Sequence, residues 1–327
     1  MATHVQPLFD YIDTTDRARG AIDVLAGSEY LILDCEGRDI GRIGGALSLL
    51  CIGTAGATHI FVFDVLRLPS TDAVMQPLLS MLADPAVPKI VWDGRQDNLE
   101  ISESYGVLMR GVVDLQLVEV VSRGLVRGER EQQRIHRLAT GRFSAYGIAK
   151  YPVQYQDMHL VLGMQKCLDE NGLSGGVHKD EEVIAMHKAN GSALWMARPL
   201  SQRLLQYAAN DIYLIAVLHE FFRAMRWLSV PYPPLLLQQC DRYIRTQIEQ
   251  GRTDAKNPYR AGAVVPLDVL TTPDPPHLLH RCVGCCRMLS LRCYEFKAKG
   301  WRRVRCRLCH VVGTKSRIQD ETWLKVY

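Results

Sequence analysis

The chain has 327 residues, 47% of them hydrophobic, and 39 lysines and arginines against 35 aspartates and glutamates give it a formal charge of +4. No run approaches the roughly 18 apolar residues of a membrane span, and the N-terminal MATHVQPLFDYIDTTDRA carries acids where a signal peptide is basic and then apolar. The expectation is a soluble, intracellular protein with no membrane partner, long enough for one large core or two domains.

In chain order, residues 6–28 read as helical, and strands are expected near 30–35, 46–53 and 59–65, each apolar or β-branched and bounded by Gly, Pro or Thr. These three make an antiparallel opening. LPSTDAVMQPLLSMLAD reads as a helix stopped near Pro85, KIVW as a short buried strand, and DNLEISESYG as a helix beginning by Asp97; VVDLQLVEVVSR continues the alternation. From about 124 to 190 the pattern weakens: a charged run RGEREQQR, a helix in YQDMHLVLGMQKCL and the glycine-rich NGLSGGV, with no site assignable there. A strong helix follows over about 200–226 and another over 233–251, and five prolines between 257 and 277 indicate an extended linker.

Three acidic clusters stand out. In a strand, residues i and i+2 share a face, so Asp34 and Glu36 of YLILDCEG reach one side while Cys35 turns to the core. In a helix, i and i+4 share a face, so Tyr207 and Asp211 of YAAND project together. Asp97 in KIVWDGRQD is the third. A lone Asp-x-Glu is ordinarily a solvated strand end. Carboxylates at strand ends and on one helical face, however, are what Mg²⁺ or Mn²⁺ requires, since both take oxygen ligands and share them with substrate phosphate.

YLILDCEG, followed by GGALSLLCIG and HIFVFDV, resembles the first motif of the DEDD exonuclease superfamily. KIVWDGRQDNLEISESYGVLMRGVVDLQLVE is similar to the second, with Lys89 opening the strand and Asp97 eight residues later. WMARPLSQRLLQYAANDIYLIAVL resembles the third motif of the ribonuclease D branch, and tyrosine rather than histidine at position 207 marks the DEDDy subclass. The wording WDGR and DLQL is most like fungal and Egalitarian-type exonuclease-domain proteins. The resemblance implies an α/β fold with a ribonuclease H-like mixed sheet flanked by helices. It also implies 3′–5′ exonuclease activity on single-stranded RNA or DNA with two Mg²⁺ or Mn²⁺ ions: Asp34, Glu36 and Asp211 at the first, Asp34 bridging to the second, Asp97 supporting that one largely through water. Tyr207, with an ordinary phenol pKa of about 10, would position water rather than deprotonate it. Lys89 and Arg95 are candidate phosphate contacts, weighed against ordinary salt-bridge roles. Asp93, where many relatives have histidine, reads as a polar strand-end residue, and Trp195 with Arg198-Pro199-Leu200 as a packed helix start. The alternative is a catalytically silent nucleic-acid-binding adaptor, as some Egalitarian-like relatives are; retention of all four acids and the tyrosine favours the enzyme.

Four of the ten cysteines are scattered, and six lie between 282 and 309. Cys282-x-x-Cys285 and Cys306-x-x-Cys309 have the spacing of a four-thiolate zinc ribbon, which calls for one structural Zn²⁺. Cys286, Cys293, His280 and His310 remain spare ligand candidates. From Arg281 to Arg317 there are eleven lysines and arginines against the single acid Glu295, a local charge of +10 that leaves −6 for the rest of the chain. Such asymmetry suits a phosphate backbone, with Arg302, Arg303 and Trp301 as candidate contacts. A solvated ribbon or a surface for an acidic protein partner is the competing reading. The resulting domain scheme is an exonuclease domain over 1–228, a helix and Pro-rich linker over 229–277, and a basic, Cys-rich zinc-binding domain over 278–327. Protein partners are not named by any motif.

Overall fold

The computed structural model describes residues 7–68, 71–173, 182–183, 185–186, 191–260, 262–297, 300–318 and 322–326. Lys299 of the basic tally and most of NGLSGGV fall outside them. Two compact units interleave along the chain: residues 1–119 with 163–245, and residues 120–162 with 246–327.

The first unit opens with β1 (Asp10–Ile12), α1 (Thr15–Ala26), β2 (Leu31–Arg38), β3 (Ala46–Gly53) and β4 (Ile60–Asp64). There follow α2 (Gln76–Ala83), β5 (Lys89–Val91), α3 (Arg95–Tyr105) and β6 (Val112–Asp114). The six strands form one mixed sheet in the order β1-β4-β3-β2-β5-β6. β2, β3 and β4 are antiparallel neighbours, while β1, β5 and β6 join in parallel. β1 corrects the helical expectation for 6–28: Ile12 enters the core and the Tyr11 hydroxyl donates to Asp64, long-range contacts that no local pattern announces.

Strand periodicity sorts the two faces of this sheet. Leu31, Leu33 and Cys35 of β2, Leu50 and Ile52 of β3, and Phe61 and Phe63 of β4 share one core with α1, α2 and Ile101 of α3. Asp34 and Glu36, one residue out of step, point the other way.

α4 (Leu115–Leu125), α5 (Glu131–Gly141) and α6 (Ala145–Lys150) lead to α7 (Met164–Glu170), α8 (Gln202–Ala224) and α9 (Pro234–Gln250). The helix expected in 155–168 begins only at Met164. Upstream, the backbone hydrogen bonds go elsewhere: Val161 N–H donates to Ala263 O at 3.1 Å and Val265 N–H to His159 O at 2.9 Å. That short pairing ties down the five-proline stretch, burying Val264, Val265, Leu267 and Val269.

In the second unit β7 (His280–Arg281) pairs with β8 (Met288–Leu289), and β9 (Tyr294–Lys297), β10 (Trp301–Cys306) and β11 (Trp323–Lys325) form an antiparallel sheet next to α10 (Arg307–Lys315) in sequence. Its core joins Leu138 and Phe143, Ile148 of α6 and Tyr155 to Val264, Leu289, Leu308 and the buried cysteines. The cysteine-rich segment thus shares its interior with residues more than a hundred positions upstream.

Candidate active site

Asp34 and Glu36 are half-buried on β2, in register with Cys51 and Leu49 of β3. A bulge follows Glu36 immediately, and Gly37 occupies it because a Cβ there would lie 2.2 Å from the Ala46 carbonyl oxygen. On the same face of the sheet, a Cβ on Gly53 would meet Ile212 Cγ2 at 2.6 Å, so glycine lets α8 settle directly on β3. The Ser201 hydroxyl accepts from Leu204 N–H and starts α8 at a fixed point. Two turns on, Tyr207 and Asp211 arrive buried, one turn apart. The carboxylate oxygens of Asp34, Glu36 and Asp211 all lie within 4.8 Å of one another.

Asp97 sits in the first turn of α3 and is outside that trio. Burial pushes its carboxyl well above the carboxylate range, and the charges of Asp34, Asp93 and Asp114 push it further, against a hydrogen bond from the Cys35 thiol. Cys35 is therefore in the core, yet it also touches the site's fourth acid. Three carboxylates gathered without a cation repel one another, and hard oxygen donors in this number match Mg²⁺ or Mn²⁺.

Several supporting residues escape sequence reasoning. Asp114 is fully buried and accepts from Gly94 N–H at 2.9 Å and Asp93 N–H at 3.3 Å, fixing the turn that launches α3. Arg198 binds the buried Asp64 through Nε at 2.6 Å and Nη2 at 2.7 Å and also donates to the Ser48 hydroxyl. Ser48 in turn donates to Trp195 O at 2.5 Å, and the Trp195 ring lies 6.3 Å from that of Tyr207. The Arg198-Pro199-Leu200 triplet is thus an ionic anchor as well as a helix start. The only linear signal was an aspartate closing an apolar strand, and its partner is 134 positions away.

Other candidates are placed differently from the expectation. Lys89 is fully buried and donates to Asp84 O at 2.7 Å and Met81 O at 3.1 Å; desolvation brings its pKa down to about 8, and it serves backbone carbonyls rather than phosphate. Arg95 is buried, paired with Asp93 at 2.5 Å and 4.6 Å over the Tyr243 ring, so its guanidinium is committed internally. Arg302 lies over Tyr294, and Arg303 pairs with Glu295 at 2.6 Å and lies over Trp323; both are buried. Trp301 stays 40% exposed.

The Sγ atoms of Cys282, Cys285, Cys306 and Cys309 form a second cluster, again within 4.8 Å. Gly284 is its cradle: a Cβ there would meet Cys309 Sγ at 2.9 Å. Cys306 N–H donates to Cys282 Sγ at 3.2 Å. Hydrogen bonds from Cys285, Cys306 and Cys309 hold the Cys282 thiol far below its ordinary range, while the same bonds push Cys306 and Cys309 up. A thiophilic divalent cation binding there displaces the thiol protons. Among the described residues, Cys286, Cys293, His280 and His310 are not in this group.

Residues 9–125 match the profile of the family described as 3′–5′ exonuclease. Ribonuclease D of Musicola paradisiaca is 28% identical over 160 residues, 48% of this chain and 31% of the relative, so the chain spans under a third of that relative's length. Trypanosoma brucei ribonuclease D in its complex with RNA U12 has a TM-score of 0.57 at 21% identity, with 80% of this chain and 77% of that chain covered. Its GMP complex has a TM-score of 0.58 at 19% identity, covering 86% and 82%. These likenesses establish the fold. Residues 9–125 thus resemble a 3′–5′ exonuclease domain, in a chain with a ribonuclease D-like fold and a C-terminal cysteine cluster. Among the described residues, no helix is long and apolar enough to cross a membrane.

Proposed function

We propose that this protein is a metal-dependent 3′–5′ exonuclease acting on single-stranded nucleic acid, with RNA as the first substrate to test. The observation that carries the reading is the convergence of Asp34, Glu36 and Asp211, with Tyr207 one turn from Asp211. Asp34, Glu36 and Asp211 would hold one Mg²⁺ or Mn²⁺, and Asp97 would support a second. Such a pair supplies Lewis acidity to attacking and leaving oxygens at phosphorus. The chain's own contribution is to fix the carboxylates on a bulged strand and a glycine-seated helix, and to orient the attacking water with the Tyr207 phenol. RNA is favoured because the Trypanosoma brucei relative is described in complex with RNA U12; DNA is the comparison substrate. Cys282, Cys285, Cys306 and Cys309 would hold one structural Zn²⁺. The closer placement beside Egalitarian-type domains rests on sequence wording alone.

The test is a 3′-end shortening assay on matched 5′-labelled RNA and DNA strands with Mg²⁺ or Mn²⁺. Stepwise loss from the 3′ end is expected, abolished by Asp34→Asn and by Asp211→Asn and blocked by a 3′-phosphate. A wild-type chain that binds the strand and leaves it intact with either metal is an adaptor, not a nuclease.

A further inference from the structure

We propose that the second unit carries a separate binding cleft for single-stranded nucleic acid, in which Tyr146 and Tyr151 stack on bases while Arg142, Lys315 and Arg317 hold the phosphates between them. The cleft is a cavity of about 1210 Å³, one wall built from residues within 139–155 and the other from Glu295, Arg303 and residues within 310–318. It is larger than the roughly 300–1,000 Å³ typical of small-molecule pockets, a size that suits a few linked nucleotides better than one metabolite.

Its lining has the two chemistries a single strand needs. Arg142, Arg303, Lys315 and Arg317 line it against the single carboxylate of Glu295. Arg303 and Glu295 pair at 2.6 Å and cancel. Arg142 and Arg317 have no carboxylate partner among the described residues, and Lys315 donates to the Arg142 carbonyl at 2.7 Å, which leaves its charge uncompensated. The aromatic component is equally specific. Tyr155 and Tyr294 are buried in the unit's core, but Tyr146 is 72% and Tyr151 48% exposed. Lys150 Nζ lies 5.5 Å from the Tyr146 ring centroid and 5.3 Å from that of Tyr151. Two accessible rings tied by one cation and bordered by unpaired guanidinium groups form a stacking platform with its own phosphate contacts. An acidic peptide would satisfy the cations and leave the rings idle, so bases are the better occupant. The site is built mainly from α5, α6, the segment that follows them, and α10; of the β10 arginines that charge counting singled out, only the paired Arg303 borders it.

The experiment uses the full chain carrying Asp34→Asn, so that hydrolysis does not consume the probe, and a fluorescent 12-residue oligouridylate followed by anisotropy over a range of KCl. Tyr146→Ala with Tyr151→Ala is expected to weaken binding about tenfold or more, and Tyr→Phe at both positions to restore it. Arg142→Gln with Arg317→Gln is expected to lower the slope of log affinity against log salt by about 1.4, two single-strand phosphates' worth. A 5-iodouridine probe is expected to crosslink to Tyr146 or Tyr151. Unchanged affinity and slope in both double variants, or crosslinks falling only outside 139–155 and 295–318, overturn the proposal, as does displacement of the probe by polyglutamate that is insensitive to the tyrosine changes. Zinc content and melting temperature monitor folding; exposed tyrosines leave both unmoved. With Asp34 intact, cleft-dependent binding without shortening sinks the exonuclease reading and upholds the cleft, whereas shortening with cleft-independent binding does the reverse.

Discussion

Asp64 shows how much one buried carboxylate organises. Burial pushes its pKa up, but the hydrogen bonds from Arg198 and Tyr11 outweigh that and hold it below the usual carboxylate range. Arg198→Met would strand the charge, at a cost of roughly 3–5 kcal/mol. The expected result is a clear loss of melting temperature, partly recovered by adding Asp64→Asn, and calorimetry of the double-mutant cycle checks it. His219 gives a pH signature from the same helix as Asp211. Burial, with help from Arg223, lowers its pKa to about 4, and Nε2 lies 3.0 Å from the Tyr232 hydroxyl. The unfolded value is about 6.5, so this stabilisation is complete above that pH and is lost as pH falls toward 4. Urea titrations across pH 4–7 are expected to show a steep acid limb that His219→Gln flattens; an unaltered limb assigns it to carboxylates instead.

At the scale of elements, glycine decides where the acids meet. Gly53→Ala places a methyl 2.6 Å from Ile212 Cγ2, so Ile212 or the α8 backbone that carries it, with Tyr207 and Asp211, must shift. Displacements of this kind cost on the order of tenfold to a hundredfold in kcat, and the expected variant is folded, with a weakened response to Mn²⁺ titration. Gly37→Ala is harsher, because the obstacle is the Ala46 backbone; it is expected to unfold the β2–β3 bulge and lower the melting temperature. The three antiparallel strands and α8 were legible because each carries its own apolar rhythm, and the Asp34/Glu36 and Tyr207/Asp211 pairs because period two and period 3.6 are local facts. The bulge, the Arg198–Asp64 anchor and the Asp114 brace were not, since each is defined by a partner distant in sequence. Lys89 misled for the same reason: a strand-opening lysine looks solvated until the carbonyls of Met81 and Asp84 are seen around it.

For the whole molecule, the cysteine cluster and the upstream helices stand or fall together, because they share one core. Cys282→Ser or Cys309→Ser is expected to take zinc from one per chain to none by mass spectrometry, and to expose Leu138, Phe143 and Ile148 as measured by hydrogen exchange; protection retained in 131–155 would show that those helices hold without the metal. Connectivity adds a temporal consequence. The chain passes between its two units three times, at 119–120, 162–163 and 245–246. During synthesis at roughly 5–20 residues per second, the apolar side chains of 138–158 leave the ribosome some 5–20 s before Val264 and the segment beyond it exist to cover them. Nascent chains halted near position 245 should therefore be the ones that recruit chaperones, and the last eighty residues are where that debt to water is settled.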